Sequence, residues 1–189
     1  NVADELAYTA HDLDDGLRSG MITTDMLTSI DLWQIATRRV QWNGGKLSDL
    51  DRHCIIRELI GMEVNDLIEA TDARLNENAI RSVEQIQTLS FNVVGFSEVM
   101  ISRNRQLKDF LFTNLYRHPR VVRMAVKAER ILTELFQAYR AEPSILPHHV
   151  QASIPENGLE RTLCDYLAGM TDRYAIDEYQ RLFDPAILP

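Results

Sequence analysis

Apolar residues recur every three or four positions along most of the chain, which is the period of a helix with one buried face. Val2, Leu6, Ala10, Leu13 and Leu17 define a first helix over residues 3–17, bracketed by Gly16 and Gly20. A second helix, capped by Thr23 or Thr24, carries Leu27, Ile30, Trp33 and Val40, and Asn43, Gly44 and Gly45 form a turn after it. Ser48 caps a long third helix with Leu50, Cys54, Ile56, Leu59, Ile60, Val64, Leu67 and Ile68 on its apolar side. Residues 82–96 break the period: Val, Ile, Thr and Phe fall in short runs before Gly95, which predicts a short extended segment or hairpin. Helical spacing returns over residues 98–117 and 121–140. Pro143, Pro147 and Pro155 then predict a connecting loop over about 142–157, and a final helical pair runs to about residue 183. All six prolines lie at or after Pro119, so the first 118 residues have no residue that forbids a helix interior. The expected fold is all-α, and 189 residues fit a single helical domain.

Composition narrows the function classes. A 45% hydrophobic and 25% charged chain is ordinary for a globular protein and excludes a disordered or collagen-like one. No apolar run approaches the roughly 18–20 residues of a membrane span. The net charge of −8 argues against a nucleic-acid partner, because a phosphate backbone is bound chiefly through Lys and Arg. Two cysteines, Cys54 and Cys164, are too few for a disulfide framework. Read as buried free thiols, they fit a reducing cytoplasm. The first residues are polar and lack the hydrophobic stretch of a signal peptide, and no initiating Met is present.

The polar side of the first helix is unusual. Asp4, Tyr8 and Asp12 lie at i, i+4 and i+8 and form one stripe, with His11 and Asp15 on the same side. Asp is a poor helix former, so repeating it within a helix has a local cost. From spacing alone, a solvated acidic face and a metal- or phosphate-binding face are equally open. Asp4 and His11 are about 10 Å apart along the axis, too far to share one ion. Lys108 and Tyr116, eight residues apart, share a face of a later helix, and His118 ends it before Pro119. Lys108 alone reads as a surface lysine, and Tyr116 as a half-buried tyrosine. Arg103, Arg105, Arg117, Arg120 and Arg123 form a local basic cluster, either solvated or facing a nucleotide at a subunit interface.

Residues 2–17, with their Asp4, Tyr8, His11-Asp12 and Asp14-Asp15-Gly16 positions, resemble a motif of the HD-domain deoxynucleoside triphosphate triphosphohydrolases, the bacterial dGTPase-like proteins. Further blocks agree in order: Val94-Gly95-Phe96-Ser97, then Leu107-Lys108-Asp109-Phe110 running into Tyr116-Arg117-His118-Pro119, then Cys164-Asp165-Tyr166 through Thr171-Asp172-Arg173-Tyr174. The resemblance implies an HD-like helical enzyme that cleaves a dNTP, with dGTP the expected one, to a deoxynucleoside and triphosphate. It implies a divalent metal ion, Mg or Mn, held by a His, an adjacent His-Asp pair and a later Asp. Asp4 matches that later Asp, as metal ligand and catalytic residue. Tyr8, Asp12, Lys108, Tyr116 and His118 match substrate-binding positions. His11-Asp12 is not the family's eponymous dyad, which belongs upstream of Asp4. The chain therefore resembles a C-terminal part with an incomplete metal site, expected to be inactive alone. A cytoplasmic homo-oligomer is the expected assembly, and Asp172 or Arg173 is expected to pin two helices together. The alternatives are a non-catalytic helical nucleotide-binding regulator and an oligomerisation module.

Overall fold

A computed structural model describes residues 2–187, and it is helical without a strand among them. It divides into two compact units, residues 1–118 and 119–189.

In the first unit, α1 (Val2–Arg18) buries Leu6, Ala10 and Leu13, the i, i+4, i+7 positions of its apolar face. The helix ends where Gly20 takes a positive φ of 70°. Gly16 makes room for the returning chain: a Cβ there would come within 2.5 Å of Ile22 Cδ1, so a larger residue would force the buried Ile22 side chain to shift. The expected second helix is divided. A 3₁₀ turn, Thr24–Leu27, precedes α2 (Asp31–Arg39). The break is stabilised from elsewhere: the Gln106 side chain accepts from the Asp31 N–H at 2.9 Å and donates to the Ser29 carbonyl at 2.9 Å. That partner lies far away in sequence, so periodicity could not reveal it.

The long helix α3 (Asp49–Glu77) opens with the expected Ser48 cap, reinforced by Asp51 into a reciprocal capping box. Its Ile55, Ile56, Leu59 and Met62 pack with Leu32, Trp33 and Ala36 of α2 and the buried face of α1 in one core. The expected extended segment is absent. Ser82 and Gln85 form a second capping box that starts a short helix, α4 (Val83–Gln87), and turns follow it. A strand needs an apolar face to bury and a partner strand; Val83 and Ile86 are instead exposed. α5 (Glu98–Leu111) is capped by Ser97 and contributes Met100, Leu107 and Leu111 to the core. It widens into a π-helical turn, Phe112–Tyr116, where the Thr113 and Asn114 side chains bond the carbonyls of Asp109 and Phe110 four residues back.

In the second unit, α6 (Pro119–Ala141) packs against α9 (Leu159–Ala168) and α10 (Asp172–Phe183) around Leu135, Tyr139 and Leu163. Between them, the expected loop is instead a series of short helical turns: a 3₁₀ turn Pro143–Ile145, α7 (His148–Gln151) and α8 (Ile154–Asn157). Pro143 and Pro155 sit in first turns and Pro147 is a cap, the positions where a missing N–H costs nothing. Three cross-helix bonds run through tyrosines and a fourth contact pairs Arg140 with Glu160 at 3.6 Å; none of these four uses Asp172 or Arg173. Tyr166 and Tyr174 hydroxyls meet at 3.0 Å, Tyr139 donates to Glu178 at 2.9 Å, and Tyr179 donates to Glu134 at 2.6 Å. Within that motif, Thr171 acts as the N-cap of α10. The expectation of two buried thiols also fails: Cys54 is half-buried and Cys164 is exposed.

Candidate functional site

The stripe on α1 faces the end of α5 and its π-helical turn. Tyr116 donates its hydroxyl proton to Asp12 Oδ2, a bond spanning 104 positions of sequence. Seven residues earlier on α1, Glu5 pairs with the Lys108 ammonium. Glu5, Tyr8 and Asp12 (i, i+3, i+7) thus share a face of α1, and Lys108 and Tyr116 meet two of them. Two polar contacts form the rungs. Tyr8, 46% exposed, lies on α1 between them, and Phe112, 53% exposed, lies between Lys108 and Tyr116 in sequence. The site is an open, partly aromatic surface with a carboxylate–ammonium pair at one end and a carboxylate–phenol bond at the other.

The electrostatics follow from this packing. Partial burial, followed by the Asp12 carboxylate, raises the Tyr116 phenol above its ordinary value, so Tyr116 stays a donor at neutral pH. Burial lowers the Lys108 ammonium from its usual value. Asp4 is exposed in the first turn of α1. His118 is half-buried two residues past Tyr116, its N–H bonded to the Leu115 carbonyl at 3.0 Å. Tyr8, Asp12, Lys108 and Tyr116 are therefore brought together, while Asp4 stands at the near end of the stripe and His118 at the far end of the π-helical turn.

Residues with no local sequence signal hold this face in place. Arg52 of α3 is buried and donates from Nε to Asp14 at 2.8 Å and from Nη1 to Asp49 at 2.5 Å. Asp14 is two residues past Asp12, so Arg52 sets the rotation of α1 upon α3. Arg74 donates to the carbonyls of Val93, Gly95 and Phe96, at 3.2, 2.5 and 2.5 Å. Asp66 accepts from the Ser97 N–H at 2.9 Å and hydroxyl at 2.6 Å. Together they fasten the start of α5, and thus Lys108 and Tyr116, to α3. Gly95 leaves room for the Arg74 guanidinium, which a Cβ would approach to 3.3 Å. Glu63 of α3 is buried at 1% exposure beside Asn104 of α5, and burial pushes its carboxyl up to about 7. Glu5 was within reach of sequence reasoning, being seven residues before Asp12; Phe112 lay four residues past Lys108 on the same helical repeat.

The donor set does not make a complete metal centre. Among the described residues no three His, Cys, Asp or Glu side chains converge on one point. Asp4 offers a single carboxylate, whereas catalytic sites use about three protein ligands.

This helical scaffold, with charged and aromatic groups on facing helices, carries a phosphohydrolase-associated domain over residues 94–181. That span contains the strap, α5, the π-helical turn and most of the second unit. The chain is 47% identical over 186 residues to a deoxyguanosinetriphosphate triphosphohydrolase-like protein of Geobacter sulfurreducens, covering 98% of this chain and 48% of that protein. A protein of the same description from Deinococcus deserti is 40% identical over 185 residues, covering 98% and 49%. Another from Bordetella pertussis is 41% identical over 189 residues, covering 97% and 48%. The chain is thus similar over nearly its whole length to deoxyguanosinetriphosphate triphosphohydrolase-like proteins and spans about half the length of the curated relatives it matches.

Proposed function

We propose that this chain forms the substrate-facing wall of a metal-dependent dNTP triphosphohydrolase, with dGTP the first substrate to test. One observation carries the reading: α1 and the end of α5 set a lysine, a carboxylate–phenol bond and exposed aromatic rings on one face. In this reading Lys108 offsets phosphate charge. Tyr8 and Tyr116 pack against the sugar and base, the Asp12–Tyr116 bond fixes the orientation of both groups, and His118 closes the same end. Asp4 supplies one carboxylate to a Mg or Mn ion whose other ligands are not among the described residues. A cytoplasmic homo-oligomer is part of the same proposal. No helix among the described residues is long and apolar enough to cross a membrane.

The test is triphosphate release from each dNTP with Mg²⁺ or Mn²⁺, comparing this 189-residue chain with the longer protein that contains it. The longer protein is expected to release triphosphate, its Asp4→Ala variant to lose turnover, and the 189-residue chain alone to be silent. Undiminished turnover in Asp4→Ala would refute the ligand assignment. Silence of the longer protein with every dNTP and metal would point to a nucleotide-binding regulator built on the same face.

A further inference from the structure

The ammonium that would meet a phosphate is already held by a carboxylate. Glu5 Oε1 pairs with Lys108 Nζ, and the two side chains are 42% and 33% exposed. The pair is therefore half in water, open to exchange with a solute anion, and not locked into the core. The other cation beside this face, the Arg117 guanidinium, lies against the Phe112 ring, 5.1 Å from its centroid. At the other rung Asp12 accepts a proton from a neutral phenol, and Asp4 precedes Glu5 at the exposed start of α1. Asp4, Glu5 and Asp12 thus place three carboxylates on the stripe of α1, and Lys108 is the ammonium paired to it. Glu5 is also held in register. Its backbone carbonyl accepts the Thr9 hydroxyl at 2.8 Å, and its helix is pinned to α3 by Arg52 and Asp14.

We propose that Glu5 is a resident counter-ion that a phosphate chain must displace from Lys108, so that it sets the affinity of the site for triphosphate as substrate and as product. The inference rests on the proposed placement of Lys108 against phosphate. With the site empty, the ion pair keeps the lysine aimed along the face and its charge balanced. When a triphosphate binds, the ammonium exchanges one anionic partner for another and Glu5 returns to water. The exchange weakens ground-state and product binding by the value of the lost pair. An interaction that holds substrate and product alike does not speed the chemical step, and weakening it eases release.

The experiment measures binding of inorganic tripolyphosphate to the full-length protein in the presence of Mg²⁺, by calorimetry, for the parent, Glu5→Gln, Lys108→Gln and the double variant. Partly exposed ion pairs contribute a small energy, so Glu5→Gln is expected to tighten binding by about two- to fivefold. Lys108→Gln is expected to weaken it, and the Glu5→Gln gain is expected to shrink in the Lys108→Gln background. Glu5→Ala repeats the measurement without an amide oxygen that could still accept from the ammonium, and the same tightening is expected. Unchanged or weaker binding in both Glu5 variants, with Lys108→Gln still impaired, would overturn the counter-ion role alone. An equal gain with and without Lys108 would overturn it as well, by showing general repulsion. Undiminished binding in Lys108→Gln would instead remove the phosphate-facing placement of Lys108, and the counter-ion role with it. The expected binding pattern in a protein that hydrolyses no dNTP would retain the inference and reject the hydrolase reading.

Discussion

At the scale of single residues, the site depends on pairings that join distant parts of the chain. The Tyr116 hydroxyl is the donor that satisfies Asp12. Its removal in Tyr116→Phe leaves a carboxylate without its partner while keeping the ring. A hydrogen bond to a carboxylate is worth about 1.5–3 kcal/mol and less where it is partly exposed, so KM for dNTP in the full-length protein should rise by about 2–10-fold, read from steady-state triphosphate release. Glu63 gives a prediction about stability rather than turnover. Its carboxyl is raised from 4.5 to about 7 by burial. Below the lower value the folded and unfolded states are both protonated and Glu63 has no pH effect. As pH rises from about 4.5 to about 7 the unfolded state ionises first, so stability falls through that window and levels off above it. The loss is of order 3 kcal/mol for a shift of this size. Glu63→Gln, neutral at every pH, should flatten this fall, and melting temperatures at pH 4.5 and 7.5 for both proteins would show it. An equal fall in the variant would place the titration elsewhere.

At the scale of elements, the strap before α5 determines where Lys108 and Tyr116 stand. Arg74 donates to three carbonyls there, and nothing in the strap itself replaces those bonds. Arg74→Ala leaves buried carbonyl groups short of a donor, at a cost of about 2–4 kcal/mol. The expected result is a lower melting temperature together with faster hydrogen exchange at residues 93–97. A drop in melting temperature without local exchange would contradict the strap's role. Neighbouring α4 rests on its Ser82–Gln85 capping box, with Val83 and Ile86 exposed. Ser82→Ala should therefore raise hydrogen exchange over α4 and leave the global melting temperature nearly unchanged, since losing a cap costs about 1 kcal/mol and here falls on a short element.

At the scale of the whole molecule, the hydrophobic period, the Ser48 cap and the glycine stop after α1 were legible in the sequence, because each acts over one or two helical turns. So was the all-α class, and so were the blocks that carry the family resemblance, later matched by relatives aligned over nearly all of this chain. The same reasoning failed at three places, one where a distant side chain decides the backbone and two where a local signal was read for the wrong element. Gln106 divides the second helix, the Ser82 cap turns an apolar run into α4, and prolines sit in first turns where a loop was expected. Sequence also placed Asp4, Tyr8 and Asp12 on one stripe but could not say what the stripe faces. Only the tertiary structure joined Asp12 to Tyr116 and Glu5 to Lys108, and only it supplied Arg52 and Arg74 to hold those helices in phase. The physical reason is range. Helical periodicity and capping are energies between near neighbours, which the order of residues states directly. Ion pairs and hydrogen bonds between α1, α3 and α5 exist only once the core has brought those helices together.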